Sequence, residues 1–150
     1  MSENSPAHLT IFRFFNEIGI IEQLARNAFE RRMPDGLKMP HFGVLNHFVR
    51  LGGSRTPLEL ARAFQVTKGT MTNTIQRLQA RQLVRIEPDP KDGRSKRVEI
   101  TEAGREMHTR AIDALSPALS LLEAQFGTAP FEAATPFLEE VRAYLDQHRQ

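Results

Sequence analysis

The side chains best suited to binding a polyanion lie in the middle third of this 150-residue chain. One segment, from Thr67 to Arg81, alternates apolar positions with hydroxyl, amide and cationic groups. Such groups supply the donors and acceptors that phosphates and the edges of nucleic-acid bases require. A second segment, from Pro88 to Lys96, is a polar loop with three basic residues. The polar residues between its apolar positions include Lys68, Thr70, Thr72, Asn73, Gln76 and Arg77.

Two helices joined by a short turn are predicted to position the first segment. The stretch from Thr56 to Glu59 places a hydroxyl at the N-cap, a proline at the first helical position and a glutamate at the third. This pattern is a capping box, and it predicts the start of a helix. Thr67 is predicted to cap the second helix. The apolar positions of that helix follow at helical spacing and are Met71, Ile75 and Leu78.

A two-stranded ribbon is predicted after the second helix, because apolar and polar residues alternate on both sides of the polar loop. Val84 and Ile86 alternate with charged residues before the loop, and Val98 and Ile100 do so after it. The predicted order is therefore helix, turn, helix and hairpin. That order is typical of a winged helix-turn-helix.

Basic charge is concentrated in the same region. From Arg55 to Arg97 there are ten lysines and arginines against four acidic residues, a net charge of +6. Because the whole chain carries +2, the remainder carries −4. A basic centre between acidic arms is typical of a local nucleic-acid surface, although an ordinary solvated face would give the same count.

Two stretches of this region resemble MarR-type transcriptional regulators. The run TPLELARAFQVTKGTMTNTIQRLQARQLV, from Thr56 to Val84, is similar to the family's helix-turn-helix. The run DPKDGRSKRVEITEAG, from Asp89 to Gly104, is similar to its wing. The resemblance implies a mostly α fold with a small β-hairpin wing, in which N- and C-terminal helices form a dimerisation region. It also implies one unit over residues 1–150, with dimerisation helices at 7–32 and 102–148 and a DNA-binding region at 40–101.

The flanking helices are consistent with that arrangement. The first helix has an apolar stripe wider than one surface helix needs, so we expect burial on two sides, against its own domain and against a partner subunit. A fully buried core helix is the alternative. The last helix is predicted to begin near Phe131. Because Pro136 falls in its second turn, a start nearer Thr135 is the alternative.

The resemblance also implies roles for individual residues. The second helix of the unit would lie in the major groove, with its first turn at phosphates and its next turn at base edges. Arg94 would enter the minor groove, and Asp92 would orient the wing by pairing with Arg94 or Arg77. Gly93 departs from the family pattern, because many relatives carry a basic residue at this position, between the aspartate and the arginine. The implied DNA-binding residues are Thr67, Lys68, Thr70, Thr72, Asn73, Arg77, Arg94, Ser95 and Lys96.

In the family, a cleft between the dimerising helices and the winged unit holds a small aromatic or amphipathic ligand. Here that cleft would be bordered by Phe15, His41, Phe42, Met107 and Ala111, for which ordinary core packing is the alternative. The implied function is therefore a homodimeric repressor that binds an inverted repeat of double-stranded DNA and is released by a ligand. A winged-helix protein-interaction module without a specific DNA site is the competing interpretation.

Composition excludes several other classes. There is no cysteine, so disulfides, thiol switches and cysteine-ligated zinc are excluded. The five histidines show no spacing as specific as His-Glu-x-x-His, and we predict neither a metal nor a cofactor. We find no glycine-rich phosphate loop and no histidine–carboxylate set, so we predict that the protein is not an enzyme. No apolar run spans a membrane and no signal pattern opens the chain, which predicts a cytoplasmic location.

Overall fold

The computed structural model describes residues 5–149, and within them it contains six α-helices and one two-stranded antiparallel sheet. A 3-10 turn at Pro34–Gly36 separates the first two helices. The predicted winged helix-turn-helix, mostly helical with a β-hairpin wing, is confirmed. The elements are α1 (Pro6–Glu30), α2 (Met39–Leu51), α3 (Pro57–Phe64), α4 (Lys68–Ala80), β1 (Val84–Pro88), β2 (Lys96–Ile100), α5 (Glu102–Phe126) and α6 (Ala129–Gln147).

The chain divides within α5 into two compact units, the first ending at Ala114 and the second beginning at Leu115. The first unit contains the helix-turn-helix and the ribbon, and the second contains the end of α5 and all of α6. No helix among the described residues is both long enough and apolar enough to cross a membrane.

Local hydrogen bonds start α3 and α4 where the sequence predicts them. The Thr56 hydroxyl accepts from the backbone N–H of Glu59 (3.1 Å), and the Glu59 carboxylate accepts from the N–H of Thr56 (3.3 Å). This capping box satisfies two N–H groups at the end of α3. The turn follows at Gln65, whose left-handed conformation (φ 53°) redirects the chain. Thr67 then caps α4 by accepting from the N–H of Thr70 (3.1 Å).

A hydrophobic core in the first unit holds α4 in place. Phe48 of α2 has no exposed surface, and the predicted inward positions of α4 are all buried. Burying one large apolar side chain stabilises a fold by about 1.5–3 kcal/mol, so this core is sufficient to keep α4 rigid. The buried side chains of the helix-turn-helix and ribbon include Val44, Leu45, Phe48, Leu60, Ala61, Met71, Ile75, Leu78, Val84, Val98 and Ile100.

The predicted hairpin is present and is joined to the segment before α3. Val84 pairs with Ile100, and Ile86 pairs with Val98. The backbone of Arg55 adds a further bridge to Val98 through hydrogen bonds of 2.9 and 2.7 Å. The base of the wing is therefore continuous with the start of the helix-turn-helix.

The start of α6 differs from the prediction. The helix begins at Ala129, with Pro130 in its first turn, and it continues through Pro136. Proline is tolerated in the first turn because its missing N–H would have no helical partner there. Just before Pro136, the Thr135 hydroxyl donates to the carbonyl oxygen of Phe131 (2.7 Å). This bond adds a local constraint where the proline interrupts the backbone ladder.

Candidate nucleic-acid interface

α4 presents a polar face because its large apolar residues lie on the opposite side. Met71, Ile75 and Leu78 are buried against the rest of the first unit. Residues three or four places apart share a face of a helix, so the intervening polar residues are directed outward. Of the residues predicted to contact DNA, Lys68, Thr70, Asn73 and Arg77 are exposed and Thr72 is half-buried.

The hydroxyl groups of Thr67 and Thr70, at the start of α4, are hydrogen-bonded to each other. The Thr67 side chain caps the helix, and its hydroxyl also donates to the hydroxyl of Thr70 (2.9 Å). Thr67 is thus already engaged in hydrogen bonds, whereas Lys68 is exposed with no side-chain partner among the described residues. We therefore expect Thr67 to act mainly through the helix terminus, where free N–H groups favour a phosphate.

Two aspartates shape the wing tip through neighbouring backbone groups. The Asp89 carboxylate accepts from the N–H of Lys91 (2.8 Å), and the Asp92 carboxylate accepts from the N–H of Arg94 (3.1 Å). Each bond reaches the residue two places on, so each aspartate forms an Asx turn. The side chain of Arg94 is exposed on the tip that these turns create.

The predicted pairing of Asp92 with a guanidinium is not formed among the described residues. Asp92 bonds the backbone of Arg94, and the guanidinium of Arg77 donates to Asn73 instead (3.1 Å). An Asx turn costs little side-chain entropy, whereas an exposed ion pair must hold two flexible side chains in one geometry. Asp92 therefore shapes the backbone that carries Arg94 rather than pairing with its side chain.

Arg97 joins the wing to the segment before α3. Its half-buried side chain donates to the hydroxyl of Ser54 (2.7 Å) and to the carbonyl oxygen of Ser54 (2.8 Å). Nη1 of Arg97 lies 3.6 Å from the Asp89 carboxylate and 3.9 Å from that of Glu59. The hydrogen bond from Lys91 lowers the pKa of Asp89, and the charge of Arg97 acts in the same direction. Asp89 thus connects the wing tip to this anchor.

The sequence did not single out Arg97 or Ser54. The alternation of β2 marks Arg97 only as a polar position, and its partner Ser54 lies 43 residues earlier. No local pattern connects two residues that far apart, so this anchor becomes visible only in the folded chain.

One groove brings α4 and the ribbon together. Its cavity volume is ≈ 340 Å³, and it is lined by Thr72 and Gln76 on the helix and by Ile86 and Lys96 on the ribbon. Two of the residues predicted to contact DNA, Thr72 and Lys96, therefore border the same groove. A second cavity of ≈ 490 Å³ lies around the Arg97 anchor.

The basic residues of this region fall into two groups. Some are used inside the structure, such as Arg97 at its anchor and Arg85, which pairs with Glu99 on the opposite strand (2.8 Å). Others have exposed side chains with no hydrogen bond or ion pair to any described residue. These are Lys68, Lys91, Arg94 and Lys96. The net charge of +6 thus includes four cations that are free to meet an anion.

The residues predicted to border a ligand cleft do not share one environment. Met107 and Ala111 are buried, His41 and Phe42 are half-buried, and Phe15 of α1 is exposed. Burial lowers the pKa of His41, and the positive charge of Arg77 acts in the same direction. None of these five residues lines either of the two cavities above. The cleft stays a prediction.

The histidines near α2 take part in packing. His108 stacks on Phe42 with ring centroids 5.3 Å apart, and its Nε2 lies 2.9 Å from Oδ1 of Asn46. His47 lies beside Phe64, with centroids 5.4 Å apart. Burial lowers the pKa of both His108 and His47. Among residues 5–149, no three histidine, aspartate or glutamate side chains are grouped so that they could hold a metal ion.

The helix-turn-helix, its exposed face on α4 and the adjoining ribbon define a winged helix-turn-helix protein. Residues 35–95 match the model described as the MarR family, which covers this part of the fold. Over this segment, which is less than half of the chain, the protein is similar to the MarR family.

A known relative and several solved structures are also similar to this chain. The chain is 33% identical to the HTH-type transcriptional repressor NicR of Pseudomonas putida over 95 residues, which are 63% of this chain and 58% of NicR. The match thus spans less than two thirds of that relative. The structure of the regulator BldR from Sulfolobus solfataricus has a TM-score of 0.76 and 24% identity, covering 90% of this chain and 96% of BldR. A mutant of MarR from E. coli complexed with operator DNA has a TM-score of 0.68 and 23% identity, covering 91% and 97%.

Proposed function

We propose that this protein is a sequence-specific DNA-binding transcriptional regulator that acts as a homodimeric repressor of an inverted-repeat operator. The observation that carries the proposal is the exposed polar face of α4 beside an exposed, basic wing tip. Donors and acceptors on a helix suit base edges in the major groove, and the Arg94 side chain suits the negative potential of a narrow minor groove. The names of two relatives support this assignment, since NicR is called a repressor and MarR was solved with operator DNA.

Dimer formation is proposed from apolar surface that the single chain leaves exposed. No residue of α1 is buried, although the helix carries ten large apolar side chains, and eight of these are exposed. A monomer rarely leaves apolar patches of this extent in water, and a second copy of α1 would cover this one. The exposed residues of α1 are Leu9, Ile11, Phe12, Phe15, Ile18, Ile20, Ile21 and Leu24, and α6 separately exposes Phe131, Phe137, Leu138, Tyr144 and Leu145.

A two-fold dimer would carry two copies of α4 and two wings. Such a dimer suits an inverted repeat whose half-sites face successive major grooves. We further propose that a small aromatic or amphipathic ligand, bound near His41 and Phe42, changes the spacing of the two winged units and releases the DNA. We expect a protein with this function to be cytoplasmic, because the DNA that it binds is genomic.

Affinity capture of fragmented genomic DNA on the purified protein, at physiological salt, tests this function. We expect a few enriched fragments that share one inverted repeat. Affinity for that repeat should fall with salt at a log–log slope of about −0.9 per neutralised phosphate. Uniform enrichment would reduce the function to generic DNA binding. No enrichment at any salt concentration would favour the protein-interaction module instead.

Arg94→Ala is expected to weaken binding to the captured repeat by at least about tenfold, because a cation that enters the minor groove is lost. The side chain is exposed and makes no hydrogen bond or ion pair with described residues, so folding and the dimer should be unaffected. Fluorescence anisotropy would measure the affinity and light scattering the mass. Arg105→Ala, which removes an equal charge from an exposed position on α5, is the control. Unchanged affinity of the Arg94 variant would remove the wing from the mechanism.

A further inference from the structure

Asn73 and Arg77 lie one turn apart on the exposed face of α4 and are joined by a hydrogen bond. Nε of Arg77 donates to Oδ1 of Asn73 at 3.1 Å. Both side chains are exposed, and neither makes another hydrogen bond or ion pair with the described residues. Residues at this spacing approach each other on any helix, so the pair needs no other element to form. It is presented as one unit to whatever approaches α4.

The chemistry of the guanidinium decides which end of the Asn73 amide faces away. A guanidinium carries five N–H donors and no acceptor, so the amide oxygen, and not the nitrogen, must face Arg77. The NH₂ group of Asn73 is thereby turned away, with both of its N–H groups unused. Arg77 keeps the N–H groups of its two terminal nitrogens. The pair therefore offers donors at both residues, while its one acceptor oxygen already accepts from Arg77 with one of its two lone pairs.

We propose that Asn73 and Arg77 act as one donor-only unit that specifies guanine in each half-site, an inference that rests on the proposed function. In the major groove guanine presents two acceptors, N7 and O6, whereas adenine presents the acceptor N7 beside the donor N6. Thymine offers a single acceptor beside a methyl group. An asparagine with a free amide oxygen pairs with adenine through both of its polar atoms. Arg77 takes one lone pair of that oxygen and places a positive charge beside it, which disfavours the amino donor of adenine, so the pair favours guanine over adenine.

Selection of binding sequences from a random duplex library tests the inference. The wild-type motif should contain guanines within each half-site. Asn73→Ala should make one of these positions degenerate, which identifies the base pair that Asn73 contacts. Arg77→Met keeps the length of the side chain but frees the amide oxygen. At the identified position it should therefore change the preference from guanine to adenine by about tenfold or more. Arg105→Met, on α5, should leave the motif unchanged.

The possible results separate this inference from the function on which it rests. If the identified position stays guanine or becomes degenerate in Arg77→Met, the donor-only unit is disproved. The same holds if Asn73→Ala changes no position. A wild-type protein that enriches no motif contradicts the proposed function itself. Both side chains are exposed, so unchanged circular dichroism spectra of the two variants would exclude misfolding as the cause of any change.

Discussion

Replacing Gly104 with alanine is expected to lower the free energy of unfolding by about 3 kcal/mol. A Cβ atom at Gly104 would lie 2.1 Å from the carbonyl oxygen of Leu83 and 2.7 Å from Cγ1 of Ile100. Both of these residues are buried, so neither can move into solvent. The Leu83 carbonyl also accepts from the N–H of Thr101 (3.1 Å), and rotating it away would break that bond. The first turn of α5 therefore depends on a glycine for its approach to the base of the ribbon.

Urea denaturation followed by circular dichroism, at one fixed protein concentration, would measure the loss. Gly69→Ala is the matched control, because Gly69 is also helical but an added Cβ there would meet nothing within 4 Å. Its free energy of unfolding should stay constant or rise by up to about 1 kcal/mol, the difference in helix propensity. A Gly104→Ala protein with the wild-type denaturation midpoint would mean that α5 can move away from Leu83 without cost.

Arg97→Met is expected to affect both stability and DNA binding. Methionine keeps an apolar stem but loses the hydrogen bonds that half-buried Arg97 makes to Ser54. Hydrogen bonds of a charged group contribute about 1.5–3 kcal/mol to stability. The wing would then lose its side-chain connection to the segment before α3 and keep the backbone bridge of Arg55 there. If Arg94 enters the minor groove as proposed, a wing free to change its angle no longer holds it there, so affinity should fall by more than about tenfold.

Arg85→Met separates this anchoring effect from a loss of charge. Among the described residues Arg85 pairs with Glu87 and Glu99, both within the ribbon, so its removal takes away an equal charge and leaves the anchor in place. Anisotropy titrations on the same operator should show a much smaller loss for Arg85→Met than for Arg97→Met. Equal losses would show that charge, and not anchoring, is the contribution of Arg97. Urea midpoints of the two variants provide the stability comparison.

Local signals in the sequence predicted the helix-turn-helix accurately. The capping box at Thr56, the cap at Thr67 and the inward positions of α4 all stand where the residue pattern put them. The two strands of the ribbon also lie where the alternation of apolar and polar residues predicted them. These features depend on hydrogen bonds and periodicities within a few neighbouring residues, which a single chain displays directly. The same signals identified which residues of α4 are exposed, although their contacts with DNA stay predictions.

Other features could not be inferred from neighbouring residues. Pro136 suggested a later start for α6, but the helix begins at Ala129 and continues through Pro136. Its first turn contains a different proline, Pro130, which is compatible with a helix start. The resemblance predicted a guanidinium partner for Asp92, whereas its carboxylate accepts a hydrogen bond from the backbone N–H of Arg94. In both cases two local options were chemically reasonable, and backbone geometry decided between them.

Residue order thus determined the elements of this protein and the outward face of α4, since each is encoded over one or two helical turns. Tertiary structure alone decided how those elements are held. The Arg97–Ser54 anchor spans 43 residues, and the close contact of Gly104 with Leu83 exists only once α5 packs on the ribbon. The physical reason is that burial and long-range hydrogen bonds depend on where distant segments meet, and that meeting is a property of the whole core rather than of any stretch within it.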